Sequence, residues 1–152
     1  MWKIQQFLPH LMENLSPTGL REYCNYFEIE FFDLKLPCIF CRGICNLVDL
    51  AQFFEKRLCI VWRRNVAFAC CEKCLLLCAK YESEHYCVCS IKAEHLHGLI
   101  RQPLQDVVLR CNYCFRLLTS SEKVDLVTAD RYCWLVRGHW RAICSGCVTK
   151  EL

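Results

Sequence analysis

The chain has 152 residues, room for one ordinary domain or two very small ones, and its 16 cysteines are far above average usage. Gln5, Gln6, Pro9 and His10 break up the opening MWKIQQFLPHLM, and no run reaches the roughly 18 apolar residues of a membrane span, so the expected setting is intracellular, where patterned cysteines hold metal rather than disulfides. The formal charge of +3 counts cysteine as neutral; two four-thiolate zinc sites would turn it into about −1, which gives little general attraction for a phosphate backbone.

In chain order, residues 1–30 read as an N-terminal arm and a short helix. Ser16 and Pro17 supply its cap and first position, and Leu20, Tyr23, Cys24 and Phe27 share one face. A first module is expected over 31–77. Its FFDLKLPC is an extended entry to the Cys38/Cys41 knuckle. A helix follows over 46–58, carried by Leu47, Leu50, Ala51, Phe54 and Leu58. CIVW and NVAFA, residues 59–62 and 65–69, read as short strands ahead of Cys71 and Cys74. The stretch 75–103 is rich in helix formers and free of proline before Pro103. It predicts a long linker helix over 78–103, ended by Gly98. The second module, 104–147, repeats the order. DVVL leads to Cys111/Cys114, and the capping box Thr119-x-x-Glu122 opens a helix to about Ala129. The strands YCWLV and HWRAI flank Arg137-Gly138 ahead of Cys144/Cys147. Residues 148–152 form a tail. The expected fold class is α+β: two small zinc-binding modules related by duplication and joined by a linker helix.

The duplication selects the ligands. ACCEKCLLLC holds Cys70, Cys71, Cys74 and Cys78, and its local spacing does not say which bind metal. Shifting Cys38, Cys41, Cys71 and Cys74 by 73 residues gives Cys111, Cys114, Cys144 and Cys147, whereas Cys70 and Cys78 land on Ile143 and Glu151. Matched C-x-x-C pairs predict two closed four-thiolate sites, structural rather than catalytic, holding two zinc ions; iron in the same ligand set is the chemical alternative. The repeat pairs the knuckles sequentially, the first with the second and the third with the fourth. No nucleophile motif accompanies them, so no catalytic residue and no enzyme are expected.

The eight-cysteine spacing resembles that of the papillomavirus early protein six (E-six oncoprotein) family. LCIVWR, CCEKCL, HYC, QPLQDVVLRC, SSEK and RGHWRAIC match it as well, and RGHWR is closer to the cutaneous types. That resemblance implies a non-enzymatic viral adaptor of host cytoplasm and nucleus that captures acidic helical LxxLL motifs. The implied partners are a HECT-type ubiquitin ligase, a Mastermind-like Notch coactivator and pro-apoptotic Bak, with effects on ubiquitination, apoptosis, innate immunity and transcription. It implies a peptide groove between the modules and the linker helix. By position the trough takes Phe40, Leu58, Cys59, Cys70, Leu75 and Cys78, and the cationic rim takes Arg63, Arg110, Arg137 and His139.

Three departures bear on partners. His139 stands where many mucosal members have arginine, and a neutral histidine weakens a salt bridge at pH 7. Glu55 stands where a self-association phenylalanine occurs elsewhere, which leaves a weak homodimer and no carry-over of tumour-suppressor degradation. In the ending TKEL, Lys150 replaces the hydroxyl residue of a PDZ ligand, so no PDZ partner is expected. The alternative function is a zinc-finger nucleic-acid-binding regulator of transcription, resting on the two modules and the Arg137/Arg141 pair. The corrected charge weighs against it.

Overall fold

The computed structural model describes residues 16–151; the arm expected over 1–15 and the final Leu152 lie outside the described residues. The chain divides into two compact units, Met1–Leu75 and Leu76–Leu152. The first contains helix α1 (Leu20–Phe27), helix α2 (Leu47–Glu55), an antiparallel hairpin of β1 (Val61–Arg63) and β2 (Val66–Phe68), and the start of α3 (Glu72–Tyr86). The second contains the rest of α3, β3 (Cys87–Lys92), α4 (Ala93–Ile100), β4 (Arg110–Cys111), α5 (Ser120–Thr128), β5 (Tyr132–Val136), β6 (His139–Ala142) and α6 (Ser145–Val148). Its four strands lie in the order β3-β5-β6-β4, with β4 parallel to β6 and the other pairs antiparallel. Among the described residues no helix is long and apolar enough to cross a membrane.

The 73-residue repeat extends well beyond the cysteines. Shifted by 73, α1 falls on α4 and α2 on α5, residue for residue, and the 3-10 turn Phe31–Asp33 falls on Leu104–Asp106. Left-handed backbone recurs at the same offset: Glu28 and Arg101, Arg42 and Phe115, Arg57 and Asp130, Arg64 and Arg137, Asn65 and Gly138. The last two pairs sit at the centres of the β1–β2 and β5–β6 hairpins. Two consecutive positive φ angles there give the turn whose twist matches antiparallel strands, and asparagine or glycine makes the second position cheap. Each unit buries its own core. Leu20, Leu36, Leu50 and Phe53 fill the first; Leu96, Leu109, Leu126 and Ile143 fill the second. Each such side chain removed from water contributes about 1.5–3 kcal/mol, modest for units this small.

Two expectations along the chain are revised. The linker helix over 78–103 is a helix only to Tyr86; the chain then forms β3, paired with β5, and α4, which contains Gly98 and ends at Arg101 with φ 57°. Cys87-Val88-Cys89-Ser90-Ile91 favours extended backbone, and turning there lets Ala93 and Leu96 join the second unit's core. The first helix starts later than Ser16-Pro17. Gly19 is its N-cap, and its N–H donates to Glu22 Oε2 at 3.2 Å.

Candidate metal centres

Each cluster is built from one knuckle in a loop and one at a helix start. In the first unit, Cys38 N donates to Gly43 O (2.8 Å) and Arg42 N to Cys38 O (3.0 Å), closing a tight turn around Cys38 and Cys41. The third knuckle repeats it, with Cys111 N bonded to Arg116 O and Phe115 N to Cys111 O. The second and fourth knuckles open α3 and α6, where ends of the helical backbone need acceptors. One carboxylate per unit meets that need. Asp49 completes a capping box with Asn46 on α2 and accepts Glu72 N at 3.0 Å. Glu122 completes the box with Thr119 on α5 and accepts Ser145 N at 2.6 Å. The same acid thus caps one helix and holds the next metal knuckle against it. The sequence shows the Thr119 box but not this second bond.

The ligand sulfurs Cys38, Cys41, Cys71 and Cys74 converge, as do those of Cys111, Cys114, Cys144 and Cys147; within each set all lie inside 4.8 Å of one another. Cys41 Sγ is 3.9 Å from Cys71 Sγ, and Cys114 Sγ is 3.8 Å from Cys144 Sγ. A tetrahedron with zinc–sulfur bonds of about 2.3 Å has edges of about 3.8 Å, so both sets fit a zinc ion with four thiolates and no open position. In each set one sulfur is driven towards thiolate. The Cys70 thiol bonded to Cys38 brings Cys38 down to about 3 despite burial, and the neighbouring Cys111 and Cys114 thiols lower Cys144. The ions supply folding free energy that such small cores lack. Three buried or half-buried thiols outside the clusters are raised. Burial pushes Cys45 and Cys78 up to about 12, with Glu82 adding to the effect at Cys78, and Cys133 up to about 11, so all three stay neutral.

The residues expected in a peptide groove divide by exposure. Leu58, Cys70 and Leu75 are almost fully buried; Phe40, Cys59 and Cys78 are half-buried. Arg63 is exposed, with Nη1 donating to Trp62 O. Arg110 is 7% exposed and donates to Phe115 O at 2.8 Å. Arg137 lies 3.9 Å over the Tyr86 ring. His139 is exposed yet held below the ordinary histidine value by desolvation and by Arg141, with Arg110 adding to the effect and Glu82 opposing it. Arg110, Arg137, His139 and Arg141 therefore belong to one cationic region of the second unit. Sequence reasoning missed its anchor. Arg141 Nη2 donates to Glu82 Oε1 at 2.9 Å, both side chains are 1% exposed, and nothing local joins two residues 59 positions apart.

Two duplicated four-cysteine modules define a small α+β protein whose units are organised around structural zinc. The family described as Early Protein (E6) matches residues 38–147. Protein E6 of human papillomavirus 4 is 45% identical over 140 residues, spanning 92% of this chain and 100% of that protein. Protein E6 of human papillomavirus type 48 is 46% identical over 140 residues, with 92% and 99% covered. The solution structure of the C-terminal zinc-binding domain of HPV51 oncoprotein E6 is 26% identical with a TM-score of 0.39, covering 45% of this chain and 88% of that one. The chain belongs to the papillomavirus E6 early-protein family.

Proposed function

We propose that this protein is a non-enzymatic adaptor that captures acidic LxxLL helices of host proteins. The cationic region formed by Arg110, Arg137, His139 and Arg141 carries this reading. A helix with acidic flanks needs such a region, in which Glu82 pairs with Arg141. Arg63 adds a further cation. The half-buried Phe40 and Cys59 of the first unit and Cys78 of the second are the apolar contacts proposed, and Leu58, Cys70 and Leu75 are buried. His139 adds little charge at neutral pH, which makes Arg110 and Arg137 the principal anchors. A HECT-type ubiquitin ligase and a Mastermind-like coactivator are the partners proposed for capture, with Bak as a further target. Consequences follow for ubiquitination, apoptosis, innate immunity and transcription in host cytoplasm and nucleus.

The test is binding of acidic LxxLL peptides from the ligase and from the coactivator to the zinc-loaded protein. Binding to at least one is expected, with Arg110→Ala and Arg137→Ala each weakening it about tenfold at unchanged zinc content. Binding to neither peptide would sink the adaptor reading. Steeply salt-dependent, sequence-selective DNA binding in its place would favour the nucleic-acid alternative.

A further inference from the structure

The two zinc clusters share their ligand spacing but not their surroundings. At the 73-residue offset, Arg42 beside the first knuckle becomes Phe115, Cys45 becomes Leu118 and Cys70 becomes Ile143. Phe115, Leu118 and Ile143 are buried, so the second cluster has an apolar wall. The first has two further thiols in the same places, and the Arg42 guanidinium lies over the Phe68 ring. Cys70, 1% exposed, hydrogen-bonds the Cys38 sulfur and reaches the Cys71 carbonyl at 3.5 Å. Exposure differs as well: Cys41 is the one exposed thiol among the eight ligands, next to exposed Arg42, whereas its counterpart Cys114 is half-buried.

We propose that the first cluster is a peroxide-sensitive zinc site, in which oxidation begins at Cys41 and ends in a Cys38–Cys70 disulfide with loss of the metal. A zinc-bound thiolate is already deprotonated, and the exposed Cys41 sulfur is the one a peroxide reaches first. The Cys41 thiolate attacks hydrogen peroxide: a sulfur–oxygen bond forms, the O–O bond breaks, and hydroxide leaves and takes up a proton. Cys38, within 4.8 Å, attacks the resulting sulfenic sulfur and expels a second hydroxide, which leaves a Cys38–Cys41 disulfide. Cys70, already against Cys38, gives its proton to the hydroxide just expelled and attacks the Cys38 sulfur, and Cys41 departs as thiolate. Two thiols are oxidised and one peroxide becomes two waters. The first disulfide takes two of the four ligands, so the ion leaves, and the exchange to Cys70 keeps Cys38 from rebinding it. A thiol reductant with added zinc reverses the change. The second cluster lacks the resolving thiol, because Ile143 occupies its place.

The test treats the full chain, loaded with two zinc ions, with hydrogen peroxide. Released zinc is followed with a chromogenic chelator and disulfides are mapped by mass spectrometry. One zinc should leave about tenfold faster than the other, accompanied by a Cys38–Cys70 linkage, and Cys70→Ile and Cys70→Ala should replace that linkage with Cys38–Cys41. Release of both ions at one rate, or a Cys70 still reduced after the first has gone, overturns the proposal. The wild-type map decides alone if neither variant loads two ions.

Discussion

Buried charge makes Glu82 and Arg141 sensitive positions. Removing two ions from water costs several kcal/mol each, and a good pair roughly offsets that cost; a half-pair does not. Arg141 makes one hydrogen bond to Glu82 and lies 4.7 Å over the Phe115 ring, while its Nε and Nη1 find no hydrogen-bond partner among the described residues. Glu82→Gln should therefore destabilise the second unit by about 3–5 kcal/mol, and the double variant Glu82→Gln/Arg141→Met should regain most of it. Urea unfolding of the zinc-loaded protein measures both. A loss below about 1 kcal/mol for Glu82→Gln would show that the pair is solvated and dispensable. Residue by residue, the metal ligands were legible because a fixed offset carries information across the chain. Cys71 is distinguished from Cys70 by a partner at Cys144, not by its own neighbours. Glu82 had no such signal: at a mid-helix position its charge reads as a solvated face, and only the fold brings it to Arg141.

At the scale of elements, the carboxylates Asp49 and Glu122 couple helix and knuckle. Burial alone would raise the Glu122 pKa, but the N–H groups of Ser145 and Thr119 and the Arg116 guanidinium outweigh it and bring the carboxyl below its ordinary 4.5. A depressed folded-state pKa means stability that is fully present above the unfolded value and is lost as pH falls through the folded one. Glu122→Gln should accordingly cost about 1–3 kcal/mol at pH 7. The difference from wild type should shrink as pH drops below about 4.5. Unfolding curves from pH 7 to 3, with bound zinc recorded at each point, test this; a pH-independent difference contradicts a role for the ionised carboxylate. Element placement also shows where sequence reading stopped short. YCWLV became β5 and Thr119 capped α5, because local propensity and tertiary packing agree there. Propensity alone runs the linker helix through 87–92, whereas the 73-residue repeat maps Ala93–Ile100 onto the first helix. The same offset relates the apolar positions Leu20 and Ala93, both buried at the same place in their units.

Across the whole molecule, the division into two units with separate cores and separate zinc clusters predicts separable folding. A unit of this size buries too little apolar surface to remain folded alone, and a structural zinc site in small modules contributes on the order of 10 kcal/mol or more. Loss of one thiolate should collapse its own unit and spare the other. Cys71→Ser is expected to leave one zinc per chain, with amide signals of 76–151 dispersed and those of 16–75 collapsed; Cys144→Ser should give the converse. Cys70→Ser is expected to keep two ions, since its sulfur lies outside the tetrahedron of four ligands. Excess chelator should unfold both units of the wild type. Metal analysis together with two-dimensional amide spectra reads all four cases. Collapse of both units in Cys71→Ser would mean that the duplicated modules fold as one cooperative body, and zinc loss from Cys70→Ser equal to that of Cys71→Ser would undo the ligand assignment drawn from the repeat.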